Sequence, residues 1–179
     1  PGSPRFVEGK IFPGVLKSLQ GLKKTGVFVN ENIDRVVALA KEYGLDAIQL
    51  HGDEDDTYID SLGGEFEIIK VLKMGDESIT SIQKRLDSLA GKTTCYLLET
   101  MSAGHGGSGK KFDWSIIEKL RFPKPFFLSG GIDASDAAGL KAMARAQSMF
   151  FGTDINSRFE TAPGIKNMEL IKKFKHEIT

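Results

Sequence analysis

The sequence predicts an α/β protein with a parallel sheet, built from strand–helix units repeated along the whole chain. Three observations predict it. Short β-rich apolar runs alternate with helix-patterned stretches throughout the 179 residues. The runs recur about every 20–30 residues, the length of a strand–helix unit. A polar residue follows nearly every run, as expected of a strand end that opens onto a site.

Taken in order, the N-terminal piece carries Val7, Ile11, Val15, Leu16 and Leu19 and reads as a helix. Residues 25–29 are the first strand. A helix follows, with Val36, Val37, Leu39 and Ala40 at helical spacing and Gly44 as its stop. Residues 47–50 form the next strand, running into His51-Gly52-Asp53, and a shorter helix over 57–62 ends at Gly63-Gly64. The strand over 68–72 precedes an amphipathic helix carrying Ile79, Ile82, Leu86 and Leu89. Residues 95–98 are a strand that enters Glu99-Thr100 and a long glycine-rich loop, after which Phe112-Asp113-Trp114 opens a helix. The strand over 126–128 leads into Ser129-Gly130-Gly131 and a helix with Ala137, Ala138, Leu140 and Met143. Met149 begins the last strand, and Leu170, Ile171 and Phe174 mark a final helix.

This count gives about six strands, each followed by a helix, with no linker between them. Such units close in two ways, as an open doubly wound sheet or as a barrel of eight units. The helix at the front requires a strand just before it. The expectation is therefore a (β/α)8 TIM barrel, one domain over residues 1–179, with the first strand, first helix and second strand missing from the sequence.

Composition narrows the function classes. Lys plus Arg equals Asp plus Glu at 24 each, and no basic cluster stands out, so a nucleic-acid partner is not expected. No apolar stretch approaches the roughly 18–20 residues of a membrane span. Cys95 is the only cysteine, which excludes an internal disulfide and a cysteine metal site and fits a reducing, cytoplasmic compartment. It begins a strand, so an inert buried thiol is expected. The three histidines are too scattered for a metal; His51 and Asp53 are the nearest ligand-type pair, and His176 lies on a charged, solvated helix. Trp114 and the phenylalanines read as core. Neither metal nor organic cofactor is expected.

Barrel sites lie at the C-terminal strand ends, where the loops converge. Those positions hold Asn30, His51 with Asp53, Lys73, Glu99, Ser129, and Asp154 with Asn156. Carboxylates and an imidazole around one mouth suit acid–base chemistry, although polar strand ends also occur simply because they meet solvent. The stretch Gly104-His105-Gly106-Gly107-Ser108-Gly109 suits a nest of backbone N–H groups that holds a phosphate. Ser129-Gly130-Gly131 precedes a helix N-terminus and, with the Asn156-Ser157 turn, points the same way. The glycine spacing is not that of a nucleotide-hydrolysing loop.

Several stretches carry a closer likeness. Residues 24–30 (KTGVFVN), 44–53 (GLDAIQLHGD), 106–114 (GGSGKKFDW), 127–131 (FLSGG) and 154–160 (DINSRFE), with Pro163-Gly164, resemble the phosphoribosylanthranilate isomerase family in order and spacing. Residues 3–6 (SPRF) fit the same pattern. The resemblance implies a barrel enzyme of tryptophan biosynthesis that carries out an Amadori rearrangement on a small phosphorylated substrate, without a cofactor, as a monomer or homodimer. Carried over by position, Glu99 is the general acid, and Arg5 holds the anthranilate carboxylate. His51 and Asp154 line the substrate pocket. Gly107, Ser108, Gly130, Gly131, Asn156 and Ser157 take the phosphate. The family's acid is usually Asp, and its general base is a cysteine in a Lys-x-Cys-Gly strand, which the resemblance places upstream of Pro1. Two other readings stand beside this one: another phosphate-binding barrel, such as indole-glycerol-phosphate synthase or an aminoimidazole-carboxamide ribotide isomerase, and a non-catalytic phosphate-binding remnant.

Overall fold

The computed structural model describes residues 5–62, 64–100 and 112–179. Six parallel strands form one sheet: β1 (Thr25–Phe28), β2 (Ala47–Leu50), β3 (Glu67–Met74), β4 (Cys95–Thr100), β5 (Phe126–Ser129) and β6 (Phe150–Thr153). Their spatial order is their chain order. That order runs in one direction with no switch point. A doubly wound sheet reverses direction at a switch point, whereas right-handed crossovers that always step the same way leave every helix on one face. The six strands form such a one-directional, barrel-like wall.

The helices are α1 (Pro13–Ser18), α2 (Ile33–Tyr43), α3 (Asp56–Ser61), α4 (Ile79–Leu89), α5 (Ala137–Ala146) and α6 (Met168–Ile178). Local chemistry sets their starts. Asn32 accepts from the Asp34 and Arg35 N–H groups, Ser78 from Ser81, and Asn167 from Leu170, each a side-chain N-cap. Three expectations need correction. The N-terminal helix is only Pro13–Ser18, because Pro13 occupies its first turn and cannot extend it backward, and none of its residues is buried. The Trp114 segment is a 3₁₀ helix, Trp114–Lys119, with Asp113 as its cap. A short antiparallel hairpin, β7 (Glu160–Ala162) with β8 (Ile165–Lys166), follows β6 where the apolar pattern marks no strand.

Strand alternation divides the sheet into two unlike faces. Ile48, Leu50, Ile68, Leu72, Tyr96, Leu98, Phe126 and Leu128 join Val36, Ala40, Ile82, Leu86 and Leu140 in one continuous helix-facing core. The intervening residues stand on the opposite face, where Val71, Leu97 and Phe127 are aligned across β3, β4 and β5. Val71 and Leu97 are buried, but the same face is exposed at the edge strands, at Val27 (57%) in β1 and Phe151 (72%) in β6. Phe151 and Phe12 thus depart from the expectation that the phenylalanines are core.

Candidate active site

The strand C-termini bring the acid–base residues together. His51 follows β2, Glu99 lies near the end of β4, Ser129 ends β5, and Asp154 follows β6. Backbone ladders continue just past the strands to fix two of them: the His51 N–H donates to the Phe28 carbonyl (2.9 Å) and the Asp154 N–H to Leu128 (2.7 Å). Glu99 is in register with Ser129 on one side and Lys73 on the other. His51 Nε2 lies 2.7 Å from Glu99 Oε2, with both side chains roughly one-quarter exposed. The Gln49 amide nitrogen faces His51 Nδ1 at 3.3 Å. In the neutral ring this places the proton on Nε2, so His51 donates to Glu99.

Across the mouth, the Ser129 hydroxyl donates to Asp154 Oδ2 at 3.3 Å. Burial pushes the Asp154 carboxyl above its ordinary range; the Ser129 hydrogen bond, Lys166 and His51 oppose that shift, and the Glu99 charge adds to it. Asp154 is therefore easier to protonate than an exposed aspartate. Cys95, by contrast, is buried at the far end of β4, and its thiol is pushed up to about 11, chiefly by burial. It is inert, as expected.

A buried ion pair props the turn carrying His51, and sequence reasoning missed it. Lys70 Nζ donates to Glu54 Oε2 and to the Gly52 carbonyl, both at 2.8 Å. Glu54 also accepts from the backbone N–H of Asn30 (2.7 Å) and of Gly52 (3.0 Å to Oε2). Burial alone would raise the Glu54 carboxyl, but the bonds from Lys70, Asn30 and its own turn outweigh it and hold it below the usual range. Asn30 is in the left-handed region at φ 49°, and its side chain accepts from the Asp53 N–H. A Cβ on Gly52 would lie 2.2 Å from Asn30 Oδ1, so only glycine fits between these groups. A lysine inside the apolar run 68–72 is the visible signal; its partner sits on a loop that no periodicity marks.

The expected phosphate residues fall in three places. Gly107 and Ser108 lie outside the described residues. Gly130 and Gly131 are both in the left-handed region (φ 89° and 69°), and a Cβ on Gly130 would meet the Thr100 backbone nitrogen at 2.8 Å. Downstream, Asp133 already caps the Ser135 N–H, so this helix start carries its own carboxylate. Asn156 and Ser157 are exposed and enter a 3₁₀ turn, Ser157–Phe159. Arg5 is bound to Glu160 through Nε and Nη2.

Comparison with known proteins bears on this arrangement. The profile of one protein family, described as N-(5'phosphoribosyl)anthranilate (PRA) isomerase, matches residues 2–177. The chain belongs to the phosphoribosylanthranilate isomerase family. It is similar to the N-(5'-phosphoribosyl)anthranilate isomerase of Parabacteroides distasonis, 35% identical over 157 residues, covering 87% of this chain and 69% of that one. The isomerase of Desulforudis audaxviator is 31% identical over 175 residues, with coverages of 97% and 78%. Among solved structures, the phosphoribosyl anthranilate isomerase of Thermotoga maritima superposes with a TM-score of 0.83 at 28% identity, spanning 99% of this chain and 83% of that chain. The strand ends that carry His51, Glu99 and Asp154 thus lie within the part shared with the isomerase family. No helix among the described residues is long and apolar enough to cross a membrane.

Proposed function

We propose that this chain isomerises N-(5-phosphoribosyl)anthranilate to 1-(2-carboxyphenylamino)-1-deoxyribulose 5-phosphate, and that its sheet is the wall of a single (β/α)8-barrel domain. The observation that carries the chemistry is the 2.7 Å contact between His51 Nε2 and Glu99 Oε2 at adjoining strand ends, beside the buried Asp154. With Oε2 engaged by His51, a protonated Glu99 carries its proton on Oε1. That proton passes to the furanose ring oxygen as the C1–O bond breaks, and the lone pair of the anthranilate nitrogen forms the iminium. The carboxylate left behind is stabilised by a charge-assisted bond from the His51 N–H. A base then removes the proton on C2 to give the enolamine, which tautomerises to the ketone. The substrate nitrogen supplies and recovers the electron pair, so the isomerisation balances without an oxidant or a cofactor.

Asp154, held beside Ser129 at the end of β6, hydrogen-bonds the sugar. Arg5 receives the anthranilate carboxylate. Backbone groups of Gly107, Ser108, Gly130 and Gly131 and the Asn156-Ser157 turn take the phosphate. The family's cysteine base belongs to the first strand. Two observations support a first strand, first helix and second strand closing the barrel between β6 and β1: the opposite face is exposed at its two edge strands, at Val27 and Phe151, and the relatives are longer than this chain. The test is turnover by the full-length protein, followed as loss of the substrate's anthranilate fluorescence. The expected result is a saturable decrease that a chelator does not change. Fluorescence that stays constant at every enzyme concentration would refute the proposal.

A further inference from the structure

Glu160 belongs to the β7 edge of an exposed hairpin, yet its side chain is only 3% exposed. Its carboxylate is enclosed by two cations. Arg5 Nε approaches Oε1 and Oε2 at 3.1 and 3.2 Å, Arg5 Nη2 binds Oε2, and Lys166 Nζ reaches Oε1 at 2.9 Å. Lys166 Nζ also donates to Asn156 Oδ1 at 2.6 Å. The result is a continuous relay, Arg5–Glu160–Lys166–Asn156, whose first link joins residues 155 positions apart in sequence. One end is the arginine assigned above to the substrate's carboxylate, and the other is the turn assigned to its phosphate.

We propose that Glu160 is a positioning residue that fixes the separation of these two anion-binding ends, and so selects a substrate carrying both a carboxylate and a phosphate over ligands carrying one. The proposal rests on the substrate reading above and deepens it. The physical case is that one carboxylate anchors both cations in rigid, charge-assisted geometry. A guanidinium has five N–H donors, so anchoring by one carboxylate does not by itself exhaust its capacity to bind another. The Glu160 carboxyl is held down at about 2, first by the hydrogen bond from Arg5 and then by that from Lys166, so the anchor stays ionised throughout the working range. Without its charge, Arg5 and Lys166 lose their shared counterion and the spacing between the two ends is no longer set.

The experiment compares the full-length wild type with Glu160→Gln, which keeps the volume and one acceptor but removes the charge. It reads kcat and KM for phosphoribosylanthranilate and inhibition by two single-anion probes, anthranilate and inorganic phosphate. The expected result is a KM raised roughly ten- to a hundredfold, the size of a lost charge-assisted bond, with kcat little changed and weaker inhibition by both probes. An unchanged KM, a fall confined to kcat, or weakening of only one probe overturns the proposal. Should Glu160→Gln fail to fold, Lys166→Met cuts the relay on one side only. It should weaken phosphate and spare anthranilate, and the opposite pattern overturns the proposal. Arg5→Ala, run in parallel, separates the two ideas. If it leaves anthranilate inhibition intact, the substrate assignment of Arg5 fails whatever Glu160 does.

Discussion

The two faces of the sheet are built from the same six strands but have different tasks. The helix-facing side is closed: Leu50, Leu98, Phe126 and Leu128 are fully buried there, together with Val36 and Leu86 from the helices. The opposite side is buried at its centre, at Val71 and Leu97, and exposed at both edges, at Val27 and Phe151. Its upper rim carries Glu99 and Ser129 in register. One face therefore holds the fold together, and the other carries the proposed acid–base residues along its rim.

Substitutions break this comparison most sharply when paired across the two faces. Phe126→Ala removes a ring that is fully buried and stacked on Phe122 at 4.0 Å, and should cost about 3–5 kcal/mol in a denaturant titration. Phe151→Ala, on the same sheet but 72% exposed, should cost about 1 kcal/mol or less in this chain. A larger cost for Phe151→Ala in the full-length protein would show directly that further strands cover it there.

The buried Lys70–Glu54 pair lies under the rim and should give the next largest effect. Lys70→Met alone strands a carboxylate whose side chain is 1% exposed, at about 3–5 kcal/mol, and adding Glu54→Gln should recover much of that loss. The pH dependence has a fixed sign. The Glu54 pKa is depressed in the folded state, so its contribution is present above the ordinary value of 4.5 and is lost as pH falls through the lower folded value. The wild type should therefore show a steeper acid-side loss of stability than the double variant. Smaller still, Gly52→Ala places a methyl 2.2 Å from Asn30 Oδ1 and should cost about 1–3 kcal/mol, with a larger proportional loss of turnover because the His51 turn moves. Cys95 should resist alkylation at neutral pH in the folded protein and react only on unfolding, as burial pushes its thiol up to about 11.

What the sequence makes legible follows the same division. The helix-facing core is periodic, so Ile82, Leu86 and Leu89 declare their face by spacing alone, and the strand ends bearing His51, Glu99 and Asp154 follow from where each apolar run stops. Contacts between distant loops have no period to betray them. Lys70 is conspicuous in an apolar strand, but nothing in the spacing names Glu54 as its partner. Arg5 is readable as a ligand group only through the family likeness, and its capture by Glu160 depends on a two-residue turn at Pro163-Gly164 that folds the hairpin back. At the front helix, apolar spacing suggests more than Pro13 permits, and the proline limits it to a single short segment.

The proposed isomerisation depends on Glu99 acting as the acid at the end of β4. Steady-state turnover of Glu99→Gln in the full-length protein, with its unfolding midpoint measured alongside, tests that dependence. The expected result is a kcat lower by about 10²–10⁴-fold at an unchanged midpoint, the loss that follows when a general acid is removed. Activity retained by a folded Glu99→Gln variant would contradict it.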